Sequence, residues 1–74
     1  MNLISRIESN PGIMLGKPVI KGTRITVELI LTKLASGFSN DEIIKSYDHL
    51  TNEDILAAIE YAASVISKEE IIET

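Results

Sequence analysis

The 74-residue chain predicts a mostly α fold: a three-helix bundle preceded by a short, hairpin-like N-terminal β segment. Three observations lead there. After Arg24, three stretches each open with a helix-capping residue and carry an apolar stripe at helical spacing. Before it, Asn10-Pro11-Gly12 and Gly16-Lys17-Pro18 cut the chain into short extended runs. Hydrophobic residues make up 45% of the chain, yet Phe38, Tyr47 and Tyr61 are its only aromatics, so the core is expected to be aliphatic. One domain accommodates all 74 residues: an extended segment over 1–25, three helices over 26–68 and a tail over 69–74.

Within the first segment, Leu3–Ile7, Ile13–Leu15 and Val19-Ile20 read as short strands. Such pieces are too short to form a stable sheet alone. They are expected to pack on the helices or to pair with a second chain, which makes a homodimer the expected state. Thr26 reads as the N-cap of the first helix, with Glu28 in its first turn, where the helix dipole favours an anion. Val27, Ile30, Leu31, Leu34 and Ala35 form its stripe. Gly37 is placed to end it in the left-handed conformation. Ser39 and Glu42 have the spacing of a capping box, which opens a short second helix from about Asn40 to Tyr47. Thr51-Asn52-Glu53-Asp54 opens the third in the same way, with Ile55, Ala58 or Ile59, Ala62 and Ile66 facing inward.

Leu34-Ala35-Ser36-Gly37-Phe38-Ser39 followed by Asp41-Glu42-Ile43 has the form of a helix-turn-helix. Gly37 permits the reversal, Phe38 is expected to plug the space between helices, and Ser39 caps the next one. In that arrangement the third helix would read DNA. Its opening residues include Glu53 and Asp54, with Glu60 further on, and no arginine stands among them. Carboxylates there oppose phosphates of the same sign.

Charge is divided along the chain. Residues 1–33 hold five cations against two acids, a net of +3; residues 34–74 hold two cations against nine acids, a net of −7. The cations concentrate around Lys21-Gly22-Thr23-Arg24-Ile25, where two positive side chains, a glycine and a hydroxyl share one turn. Partner or nucleic-acid contacts are therefore expected at Arg6, Lys17, Lys21, Thr23, Arg24 and Lys33. Arg24 has an alternative as a salt-bridge partner of Glu28, and Gly22 as a residue needed for its positive φ.

No catalytic constellation assembles from these residues. His49, the only histidine, lacks neighbours at metal-ligand spacing and reads as a loop residue near a helix end. Thr23 beside Arg24 lacks a base to activate it. Gly16 and Gly22 lack the ending of a phosphate-cradling loop. No cofactor, metal or catalytic residue is expected. The chain contains no cysteine, signal peptide or membrane-length apolar run, which points to a reducing cytoplasm.

The run from Gly16 to Val27, followed by Leu34–Ser39 and Leu50–Ile55, resembles the small bacterial and archaeal "domain of unknown function 433" family across about residues 4–66. The resemblance implies a homeodomain-like helix-turn-helix fold. It also implies an antitoxin of a type II toxin–antitoxin pair, one that binds and silences a PIN-like ribonuclease encoded beside it and represses its own operon. The chain has no long arm after the third helix, so toxin binding is expected on the folded body or the N-terminal segment. A stand-alone DNA-binding regulator and a structural or oligomerisation module are the competing readings. The acidic run Glu69-Glu70 with Glu73 reads as a solvated tail, or as a plug for a basic toxin cleft.

Overall fold

A computed structural model describes residues 3–69. A 3-10 turn at Leu3–Arg6 leads into strand β1 (Ile7–Glu8), and a tight turn at Met14–Gly16 leads into strand β2 (Val19–Ile20). Three helices follow: α1 (Val27–Ala35), α2 (Asn40–Ser46) and α3 (Asn52–Glu69). The fold is mostly α with an N-terminal β-hairpin. Residues 70–74, which include most of the expected acidic tail, lie outside the described residues.

The short strands find their partners within the chain. β1 and β2 pair antiparallel, with Ile7 opposite Ile20 and Glu8 opposite Val19. On its other edge β2 meets the residues that lead into α1. Val19 bridges Thr26, the Ile20 N–H donates to the Ile25 carbonyl at 2.9 Å, and the Val27 N–H donates to the Pro18 carbonyl at 3.0 Å. β2 is thus a central ribbon with a neighbour on each side. Both edges of β2 are therefore paired within the chain. Two expected strands also change form. Leu3–Arg6 is a 3-10 turn packed along α3. Met14 and Leu15 have left-handed backbone, with φ 49° and 57°, so Ile13–Leu15 cannot lie flat in a sheet.

The helix ends follow the sequence closely. Thr26 Oγ1 accepts from the Leu29 N–H at 2.9 Å. Gly37 has φ 99°; its N–H donates to the Leu34 carbonyl, and the Phe38 N–H donates to the Lys33 carbonyl. These two bonds make a Schellman motif, which closes the last carbonyls of α1. Ser39 and Glu42 form a reciprocal capping box at the start of α2. His49, exposed with φ 70°, takes the left-handed position of the turn between α2 and α3. The Asn40 amide donates to the Asn52 carbonyl oxygen at 2.9 Å and joins the first residues of α2 and α3.

The core is aliphatic. Ile20, Val27, Ile30, Ile43, Leu50, Ile55 and Ala58 form one buried cluster, edged by Leu31, Leu34, Tyr47 and Tyr61. Each fully buried isoleucine contributes about 1.5–3 kcal/mol. Ala57 and Ala58 have no exposed surface; side chains this small let neighbouring backbone approach α3 closely. Phe38 does not plug the bundle. It is 41% exposed, and its ring lies under the Lys33 ammonium, 4.8 Å from Nζ to the ring centre. The Schellman geometry brings positions 33 and 38 together on the outside of the turn, so the ring meets a cation instead of the core. On α3, Ile59 and Ile66 are exposed while Ala57 is buried, which settles the inward face on Ile55 and Ala58.

One ion pair joins the N-terminal segment to the bundle. Asp54, only 5% exposed, accepts from Arg6 Nη1 at 3.1 Å through Oδ1 and from the Thr51 N–H at 3.0 Å through Oδ2. The Thr51 hydroxyl accepts the Asp54 N–H at 3.2 Å, which completes a capping box on α3. Replacing Asp54 with Ala removes the carboxylate half of the capping box and the Arg6 partner together, while the Thr51 hydroxyl still accepts from the backbone N–H of residue 54. The expected cost is about 2–3 kcal/mol, measured by urea denaturation. Arg6→Ala leaves the buried carboxylate with one oxygen unpaired and should cost at least as much as Asp54→Ala.

Candidate docking site

The most charged turn of the chain grows out of β2. The Thr23 N–H donates to the Ile20 carbonyl at 2.9 Å, and Gly22 between them has φ 81°. A 1→4 bond with positive φ at the third residue is the type II turn, which calls for glycine there. An added Cβ at Gly22 would meet nothing within 4 Å. The backbone angle therefore selects glycine, and space does not.

Side-chain bonds hold the turn rigid. The Thr23 hydroxyl donates to the Ile20 carbonyl at 2.8 Å and accepts from the Ile25 N–H at 3.0 Å. The Lys21 N–H donates to the Arg6 carbonyl at 2.7 Å, which ties the turn back to the N-terminal segment. Thr23 was a contact candidate in the sequence. In the fold its hydroxyl is spent on shaping the loop.

The five candidate cations divide in the same way. Arg6 is engaged with Asp54. Lys17 pairs with Glu28 at 3.0 Å, with side chains 54% and 71% exposed; a pair this open contributes about 0–1 kcal/mol. Lys33 lies over Phe38. Glu28 takes Lys17 and not Arg24, its alternative partner in the sequence. Lys21 and Arg24 remain, both exposed, and among the described residues neither forms an ion pair. These two stand three residues apart at one stiff turn, both exposed. The structure does not gather all six candidates on a single surface.

Two features went unmarked in the sequence. Asp54 was visible as an acidic first-turn residue, but nothing local signals its Arg6 partner, 48 positions away. Leu15, at 95% exposure, was read as part of a strand. Among the described residues no group of three His, Asp or Glu side chains converges to hold a metal ion, and no helix is long and apolar enough to cross a membrane.

The loop chemistry yields a pair of expectations. Thr23→Val keeps the shape but strands the Ile25 N–H, and should cost about 1–2 kcal/mol. Gly22→Val forces a β-branched residue to positive φ and should cost at least about 1–2 kcal/mol. Thermal unfolding of each variant checks both. Lys21→Ala and Arg24→Ala should leave stability within about 0.5 kcal/mol of the parent.

The signature loop and the three helices have counterparts in known proteins. A family model described as "Protein of unknown function (DUF433)" matches residues 7–62. No curated protein matches the chain. Among solved structures, a DUF433 member protein from Anabaena variabilis ATCC 29413 superposes with a TM-score of 0.75 at 31% sequence identity. The alignment covers 86% of this chain and 66% of that one, so the present chain spans just under two thirds of its relative's length. With the family model covering most of the sequence and the same fold in a relative, the chain belongs to the DUF433 family.

Proposed function

We propose that this chain is an interaction protein: the antitoxin of a toxin–antitoxin pair, which binds and silences a PIN-like ribonuclease. The observation that carries this reading is the outer face of α3. Leu56 and Ile59 are each 42% exposed, with Glu53 and Glu60 exposed beside them. No lysine or arginine occurs between Thr51 and Ser67. An apolar row flanked by carboxylates repels a phosphate backbone and suits a protein surface rich in cations. A nuclease that grips RNA phosphates has such a surface. Resemblance to the family supports the same direction.

The cationic turn favours a second activity in the same protein. Lys21 and Arg24 stand outward without carboxylate partners among the described residues, on a loop whose shape is held independently of them. They suit two phosphates of a DNA backbone, and so repression of the chain's own operon. In this arrangement the helices are scaffold and the turn makes the contact, unlike a helix-turn-helix that reads DNA with its third helix.

Co-expression with the product of the neighbouring gene tests the main reading. A stable complex and relief of nuclease toxicity are expected. Glu53→Lys with Glu60→Lys should weaken the complex about tenfold or more. Absence of a complex with the unaltered chain overturns the antitoxin assignment. For the second activity, affinity for a promoter fragment should fall with salt at a log–log slope of about −1.8 per chain, from two phosphate contacts. Lys21→Glu with Arg24→Glu should abolish that binding, and unchanged binding rejects the turn as its site.

A further inference from the structure

A groove and a knob lie side by side on this molecule, and the described chain does not use one to fill the other. The groove, about 380 Å³, runs between α1 and α3. It is lined by Pro18, Val27, Leu31, Val65 and Ile66, with the Glu28 carboxylate on its wall. Ile66 at its edge is 67% exposed. The knob is the Met14–Gly16 turn, with Leu15 95% and Met14 40% exposed. Both residues have left-handed backbone, a conformation that is costly for a residue other than glycine. That cost holds an aliphatic side chain in water. Two residues on, the Lys17 ammonium reaches Glu28 at 3.0 Å, so the knob stands at the rim of the groove.

We propose that a second copy of this chain covers this face, in a two-fold dimer in which Leu15 of each copy enters the α1–α3 groove of the other. The chemistry of the two parts selects this occupant. The knob is apolar and is followed by a cation, Lys17; the socket is apolar and bears an anion, Glu28. A two-fold contact requires a surface complementary to itself, and a knob beside its own socket provides one. Lys17 and Glu28 pair at 3.0 Å within one copy; set beside the same pair of the second copy across the axis, they complete a four-charge cluster of alternating sign. Burying Leu15 and Ile66 also enlarges an apolar core that is small in a 74-residue chain. This interface uses the C-terminal half of α3, around Val65 and Ile66, and not the β2 edges, which the chain satisfies itself.

Sedimentation of the intact chain, followed from low to about 100 μM, tests the proposal. A dimer is expected, with a thermal midpoint that rises with protein concentration. Leu15→Gly is the decisive variant, because glycine accepts the positive φ and removes only the knob. It should weaken association about tenfold or more, while the monomer unfolds at the same temperature as the parent's monomer or higher. Ile66→Glu, at the exposed groove edge, should weaken association likewise. Lys17→Glu and Glu28→Lys should each weaken self-association, and an equimolar mixture of the two should recover it. Recovery on mixing distinguishes a contact between copies from the pair within one copy. A parent chain that stays monomeric throughout overturns the proposal, as does a Leu15→Gly variant that associates as tightly as the parent.

Discussion

The carboxylate of Asp54 holds the two parts of this protein in one arrangement. One oxygen receives the Thr51 N–H and so belongs to the start of α3; the other receives Arg6 and so belongs to the N-terminal segment. Burial of a charge at 5% exposure is costly unless each oxygen is satisfied. Here both are, by groups from elements far apart in sequence. The geometry tolerates little variation: moving the N-terminal segment would strand the carboxylate, and unwinding the first turn of α3 would do the same. From this pairing the Leu3–Arg6 turn is laid on α3, β1 is positioned beside β2, and the Arg6 carbonyl is placed to receive the Lys21 N–H at the base of the cationic turn.

That dependence changes the meaning of the positive charge in the N-terminal half. Counted along the chain, the cations resemble one basic patch. In the fold Arg6 serves an internal carboxylate, Lys17 neutralises a neighbour on α1, and Lys33 covers an aromatic ring at a helix end. Lys21 and Arg24 are left outward with neither a carboxylate nor a ring as partner among the described residues. Their turn is stiff because Thr23 and Gly22 shape it from within. A rigid display of two charges loses less conformational entropy on binding than a flexible one. The signature residues thus divide between those that build the loop and those that project from it.

The molecule presents three chemically different faces: a small cationic turn, an acidic and partly apolar outer face on α3, and an apolar groove with a knob at its rim. The last two share α3, the outer face along its first half and the groove along its second. α3 is 18 residues long, while the bundle needs only its inward row around Ile55 and Ala58. Its remaining surface is free for contacts the core does not require. A chain this small has few ways to keep several surfaces apart, and one long helix against a short hairpin achieves it.

Local chemistry was legible in the sequence because it acts over a few residues. Thr26, Gly37, Ser39 and Glu42 cap helices by bonds to backbone three or four positions away, and the apolar stripe of α1 follows from the helical period alone. The positive φ of Gly22 belongs to the same category, and the type II turn around it became visible in the fold. What the sequence could not determine depended on contacts between distant segments. Short runs such as Leu3–Ile7 and Ile13–Leu15 carry too few residues for period to separate strand from turn, so their form was set by packing on α3 and by the partners available to β2. The side on which Phe38 lies, the partner of Arg6, and the choice of Glu28 between Lys17 and Arg24 were likewise decided only in three dimensions. A charged side chain pairs with whatever carboxylate the fold brings within about 4 Å, and sequence spacing does not encode that distance.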